Sequence, residues 1–262
     1  MKGECSLLNA SRVEIDARGL HFSELNREIR SAVCDGAREV VLRNVAGQRY
    51  IGTNLYGAAE DLDRLNIETH GTPGNDLGAF LDGPTIVVFG NAQDGIGNTM
   101  NRGSIIVHGR AGDIAGFSAR GGEVFVRDNA GYRAGIHMKE YLDSRPVMVI
   151  GGTVQDFLGE YMAGGIIIIL GLTLKSTQAH HCQYVGTGMH GGAIFVRGEI
   201  ADHQLSKSVG VTEITAQDQT LLRNYIDRYA VFFDADVSEV DVSQFTKLTP
   251  LSARPYKQLY AY

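Results

Sequence analysis

Between Gly71 and Gly198 the chain keeps returning to a short apolar run closed by glycine or aspartate: NIETHG, IVVFG, IIVHG, VFVRD, VMVIG, IIILG and IFVRG. The closing residues Gly71, Gly90, Gly109, Asp128, Gly151, Gly171 and Gly198 are 19, 19, 19, 23, 20 and 27 positions apart. A near-constant period with one strand-like run per repeat is the mark of a stacked, quasi-linear architecture. A second marker, a turn-like segment ending in Gly78, Gly97, Gly116, Gly135 and Gly159, keeps the same spacing until its last step of 24. A third, Gly-x-x-Met or Gly-x-x-Leu, follows it at Gly78 to Leu81, Gly97 to Met100 and Gly159 to Met162. So many corners leave no room for a helix of ordinary length, and each period reads as one coil of a parallel β-helix, about seven coils in all.

Successive strand residues face opposite sides, so the columns of the ladder can be sorted. Ile86 and Val88, Ile105 and Val107, Val124 and Val126, Val147 and Val149, Ile167 and Ile169, and Ile194 and Val196 are assigned to the interior. The column between them, Val87, Ile106, Phe125, Met148, Ile168 and Phe195, is assigned outward and is also apolar. An exposed stripe of that size needs a cover, either another part of this chain or a partner protein.

The flanks are different. Residues 11–19 alternate like a strand, Ser23 stands where it would cap a helix with Leu25, Ile29, Ala32 and Val33 on one face, and Gly36 closes it before a strand at Glu39 to Leu42. After Gly198 the period fades. Thr215 and Asp218 form a capping-box pattern ahead of a helix carrying Leu221, Leu222, Tyr225, Ile226 and Tyr229. The division is an α/β cap over 1–46, the repeat over 47–210, and a carboxy-terminal helix and extended arm over 211–262. That helix or arm is the candidate cover for the outer stripe. Two periods carry insertions, around 137–144 and 173–185, and insertions in repeats become loops on one face.

A net charge of −6 and a pI near 5.7 argue against a nucleic-acid or anionic membrane surface. No apolar run is long enough to span a bilayer and the amino terminus lacks a signal-peptide pattern, so a soluble cytoplasmic protein is expected. Cys5, Cys34 and Cys182 form no paired motif for a disulfide framework or an iron–sulfur site.

Three features resemble chemistry. Gly186-Thr-Gly188-Met-His-Gly191 spells the dinucleotide fingerprint, but Gly191 runs into the strand at 193–196, where the mechanism needs a helix. His181, Cys182 and His190, with His180 and His203 nearby, form the one metal-like or thiol-nucleophile cluster, although adjacent residues of an extended segment point apart. Asn75, Asp94, Asp113 and Asp156 recur beside turn glycines. They read either as turn-satisfying side chains or as the carboxylates of a carbohydrate-acting enzyme.

The stretch GTPGNDLGAFLDGPTIVVFGNAQDGIGNTMNRGSIIVHGRAGDIAGF, with EYMAGGIIIILG further on, resembles the GxGxG domain at the carboxy terminus of the glutamate synthase large subunit, most of all its stand-alone form. It is also similar to the C subunit of formylmethanofuran dehydrogenase and to a subunit of methylamine-glutamate methyltransferase. The resemblance implies a right-handed parallel β-helix that serves as a non-catalytic scaffold, with no catalytic, cofactor-binding or metal residues of its own. It would bridge a glutamine amidotransferase-like component and an FMN-dependent, iron–sulfur synthase component that makes glutamate from 2-oxoglutarate. The alternatives are the C-type role in one-carbon or methyltransferase chemistry and a free-standing carbohydrate-acting enzyme. Self-association into a homo-oligomer is a further expectation, and Cys5, four residues behind the start, is a poor match to an amino-terminal nucleophile.

Overall fold

The alternating β-branched runs become strands of one sheet, because side chains of that shape pack well on a pleated surface. The computed structural model describes residues 11–174 and 179–252. It is mainly β, with a single eleven-stranded sheet and two α-helices. In chain order the elements are β1 (Ser11–Asp16), α1 (Phe22–Cys34), β2 (Ala37–Ala46), β3 (Asn66–Thr72), β4 (Thr85–Phe89), β5 (Ser104–Val107), β6 (Glu123–Val126), β7 (Val147–Ile150), β8 (Ala163–Ile169), β9 (Gly191–Arg197), β10 (Val209–Thr212), α2 (Ala216–Phe233) and β11 (Phe245–Pro250). Strands β1 to β9 pair in sequence order and in parallel. The antiparallel β11 then adds beside β9, and β10 beside β11.

The pairing register puts Ile67, Ile86, Ile105, Val124, Met148, Ile167 and Ile194 in one inner column. At β7 this corrects the sequence assignment. Val124 pairs with Met148 and Val126 with Ile150, so those two face the inner core, while Val147 and Val149 face outward. The closing residue of that repeat is correspondingly Gly152 and not Gly151: Gly152 N donates to Asp128 O at 2.8 Å, and Gly171 N donates to Gly152 O at 3.1 Å. Four consecutive apolar residues made both registers look alike in sequence, and only the partner strand distinguishes them. Gly151 has a different reason to be glycine, since a Cβ there would collide with the Tyr229 ring of α2.

Between strands, the backbone passes through seven triplets of left-handed residues, each of the form X-x-Gly-x-X. They are Tyr50/Gly52/Asn54, Asp76/Gly78/Phe80, Gly95/Gly97/Thr99, Ile114/Gly116/Ser118, Arg133/Gly135/His137, Phe157/Gly159/Tyr161 and Tyr184/Gly186/Gly188. The central glycine faces the core. A Cβ on Gly78 would lie 2.6 Å from Ile105 Cδ1, and one on Gly159 2.6 Å from Ile194 Cδ1. The flanking positions tolerate side chains at a cost of about 1–2 kcal/mol each for the left-handed backbone. Hydrogen bonds between repeats hold them there. Gly97, Gly116 and Gly135 donate back to Leu77 O, Ile96 O and Ala115 O at 2.8 Å, while Asp76, Ile114 and Thr99 donate forward to Asp94 O, Tyr132 O and Phe117 O, also at 2.8 Å. Asp94, Asp113 and Asp156 accept from the backbone N–H of Asp113, Tyr132 and Gln183, each at 2.9 Å.

At the amino end, α1 buries Leu25, Ile29 and Val33 against the same core. Its cap is His21 and not Ser23: the His21 ring accepts from Ser23 N, and Glu24 accepts from His21 N at 3.1 Å. Histidine is a less usual cap than serine, which is why the serine drew the assignment.

The outer stripe is covered by α2. Leu222, Ile226, Tyr229 and Phe233 form a second core with Ile106, Phe125, Val149, Ile168 and Phe195, and each such side chain contributes about 1.5–3 kcal/mol by leaving water. Thr215 and Asp218 form the capping box read from sequence. Polar contacts set the helix in place. Arg228 pairs with Glu123, its Nη1 donating at 2.7 Å, and Tyr229 donates to Arg127 O at 2.6 Å. The described part of the extended arm adds to the cover at one end: β11 joins the edge of the sheet beside β9, Phe245 packs into the same outer core as Phe195, and Lys247 Nζ lies 2.7 Å from Asp218.

Two outcomes follow from this packing. Gly159→Ala adds an inward Cβ at a left-handed position and is expected to cost about 2–4 kcal/mol in urea unfolding. Gly198→Ala, with φ +102 but nothing within 4 Å of its new Cβ, should cost about 1–2 kcal/mol. The second outcome concerns pH. Burial alone would raise the Asp218 carboxyl, but the Lys247 ammonium and the Thr215 amide and hydroxyl outweigh it and hold the group below the ordinary carboxylate range. A depressed carboxylate stabilises the fold above its unfolded pKa, about 3.9, and that contribution is lost as pH falls below it. Lys247→Met should flatten this acid dependence in melts taken across that range.

Candidate functional site

The sequence-predicted cluster is not brought together. His180 is buried and donates from Nε2 to Arg197 O at 2.9 Å, while its Nδ1 is buried with no partner among the described residues. Burial pushes this imidazole below its ordinary value. His181 is exposed on the opposite side of the segment, and Cys182 is buried again, as extended geometry demands. The Gln204 amide donates to the carbonyls of His180 and Cys182, both at 2.8 Å, and ties this segment to the body. Burial lifts the Cys182 thiol to about 11, which leaves it protonated and poorly nucleophilic at neutral pH. His190 belongs to a different place, a cleft it lines with His137 and Tyr161, and its Nδ1 lies 3.1 Å from Gly188 O. His203 is exposed on a short 3-10 turn. Among the described residues no group of three or more His, Cys, Asp or Glu is arranged to hold a metal ion. Cys5 lies outside the described residues.

The dinucleotide-like letters resolve into the last left-handed triplet, Tyr184/Gly186/Gly188, followed by Gly191 as the first residue of β9. No helix amino terminus follows to hold a pyrophosphate.

The columns flanking the central glycines are surface features that sequence sorting missed. Their side chains point away from the core and stack between repeats. His137 lies on Tyr161 at 5.3 Å and 14°, and Phe157 on Tyr184 at 4.9 Å and 14°, with the Arg133 guanidinium 4.8 Å above Phe157. Phe80, Tyr161 and Tyr184 are exposed. The signal was present as aromatic residues two positions to either side of the repeating glycine, but only left-handed backbone turns those positions outward. A second stack, His70 on Phe89 on His108 at 4.8 and 4.9 Å, crosses the outer face of β3 and β4 and ends edge-on against Phe233 of α2. Burial, then the Arg127 charge, holds His108 below the ordinary imidazole value. Exposed aromatic rows of this kind are what protein interfaces are enriched in.

A family described as the GXGXG motif matches residues 23–252. The chain belongs to the GXGXG family. The left-handed triplets are the three-dimensional form of that spacing, and here the inward central glycine is the member kept in every repeat. An uncharacterized protein of Methanocaldococcus jannaschii is 48% identical over 255 residues, covering 95% of this GXGXG chain and 96% of the relative. Among solved structures, a chain of the formyltransferase/hydrolase complex (FhcABCD) from Methylorubrum extorquens, in complex with methylofuran, has the same fold. It matches with a TM-score of 0.58 and 18% identity, over 86% of this chain and 90% of that one. No helix among the described residues of the GXGXG chain is long and apolar enough to cross a membrane.

Alkylation at neutral pH followed by peptide mapping is expected to label the exposed Cys34 and to leave Cys182 unmodified until denaturant is added. Rapid labelling of Cys182 in the native protein would restore it as a candidate nucleophile.

Proposed function

We propose that this chain is a non-catalytic scaffold subunit of a multisubunit complex that acts on formyl groups, the C-type role in one-carbon chemistry. The observation that carries this reading is the near end-to-end fold likeness to a chain of a formyltransferase/hydrolase complex. The chemistry of the chain supports it. Its repeated aspartates are consumed by turn amides, and its one buried described thiol is protonated at neutral pH. The first of these facts also weighs against the carbohydrate-acting reading. We infer further that the parallel sheet and the stacked triplets close a right-handed parallel β-helix of about seven coils, capped by residues 1–46 and 211–262. On this reading cofactors reside in the partner subunits.

A second reading, a scaffold for glutamate synthase-type partners carrying FMN and iron–sulfur centres, is favoured by residues 71–117, whose repeat string resembles that domain. One experiment separates the two. The tagged chain is purified from its native cell and co-purifying polypeptides are identified by mass spectrometry. Formyl-transferring subunits are the expected outcome. Recovery of an amidotransferase with an FMN synthase instead would overturn the primary reading in favour of the second, and purification as homo-oligomer alone would remove both.

A further inference from the structure

The cleft beside the last left-handed triplet has a chemistry that a scaffold does not require. Its volume is about 470 Å³, within the range of small-molecule sites, and its polar lining is His137, Lys139, Tyr161, His190, Ser208 and Ser252, with Ala163, Gly188 and Met189 completing the wall. In a chain of net charge −6 the lining contains no carboxylate among the described residues. The acids adjacent to it in sequence are already occupied: Glu140 with Arg145 at 2.8 Å and Gly165 N at 3.1 Å, and Glu160 with Arg133 at 2.9 Å.

The donors that remain are suited to an oxyanion. Ser208 Oγ accepts from Gly188 N at 3.2 Å, which leaves its own hydroxyl proton to give elsewhere. His190 Nδ1 faces Gly188 O at 3.1 Å, and a carbonyl only accepts, so the ring proton is on Nδ1. The neutral ring therefore offers a bare lone pair at Nε2 and becomes a second donor only as imidazolium. Binding an anion at that edge must take up a proton. The titratable and charged groups on the lining, among the described residues, are His137, Lys139, Tyr161 and His190, and none of them is a carboxylate. Gly188, at φ +66, lacks the Cβ that would strike the Tyr161 ring, and that ring stacks on His137 to make a flat plate at the edge of the cleft.

We propose that this cleft binds the phosphate- or sulfate-type oxyanion of a small molecule, held by Lys139, Ser208 and protonated His190, with the Tyr161 and His137 rings beside it. The test uses the full chain and sulfate, whose charge is constant near neutrality, so that any pH dependence belongs to the protein. Calorimetric titration is expected to show saturable binding, about tenfold tighter near about pH 6 than near about pH 8. Lys139→Met should weaken binding about tenfold at both pH values, and His190→Gln should retain binding but lose its pH dependence. Both variants should melt with the parent. Should either fail to fold, NMR titration of the His190 ring in the parent decides, since sulfate must raise its midpoint. An unmoved midpoint, or affinity indifferent to both substitutions, overturns the proposal. Ribose 5-phosphate binding tighter than inorganic phosphate identifies a phosphorylated small molecule as the occupant, whereas equal affinity restricts the site to the free anion and overturns the role of the aromatic plate.

Discussion

The close approach of the central left-handed glycines to the inner side chains of the next repeat is the constraint on which the rest of the structure depends. At Gly78 and Gly159 the turn backbone sits where a single added carbon would meet an isoleucine of the strand after the next, Ile105 of β5 and Ile194 of β9. That contact sets how deeply each turn dips toward the core, and so keeps the amides of one repeat within hydrogen-bonding distance of the carbonyls of its neighbours. The strain of non-glycine residues in left-handed backbone, Thr99 and Ile114 among them, is held by those bonds.

The turns also organise the surface. Once the central residue points inward, both flanking residues must point out, and at equal height in each repeat. His137 over Tyr161 and Phe157 over Tyr184 are the result. The same geometry bares the Gly188 amide and carbonyl to Ser208 and His190, so the polar cleft is a by-product of the repeat ending where β11 runs against the parallel strands. The opposite, outer face of the sheet is closed by α2, whose Arg228 finds Glu123 across the helix–sheet boundary and whose Tyr229 needs Gly151 beneath it. Each surface thus has a different character: an aromatic edge along the turns, a covered apolar face, and a polar cleft lined by His137, Lys139 and His190.

Much of this was legible in the residues. The period, the inner columns away from β7, the need for a cover over the outer stripe and the Thr215–Asp218 cap follow from local chemistry that survives in any packing. The cap at His21, the register at β7 and the outward aromatic columns did not. A histidine can replace serine when its ring faces the amide, a run of four apolar residues fits two registers, and side-chain direction at a turn depends on a backbone handedness that spacing does not show.

The sequence by itself determined that this chain repeats, how long each repeat is, and which positions must be small or apolar, because those demands act on neighbours along the chain and on the identical position one period away. Only the tertiary structure decided which apolar stripe α2 covers, that Cys182 is buried while His181 is not, and that His190 lines a cleft with Lys139 and not with Cys182. Those outcomes rest on contacts between residues whose separation in sequence has no fixed period, and no count along the chain encodes them.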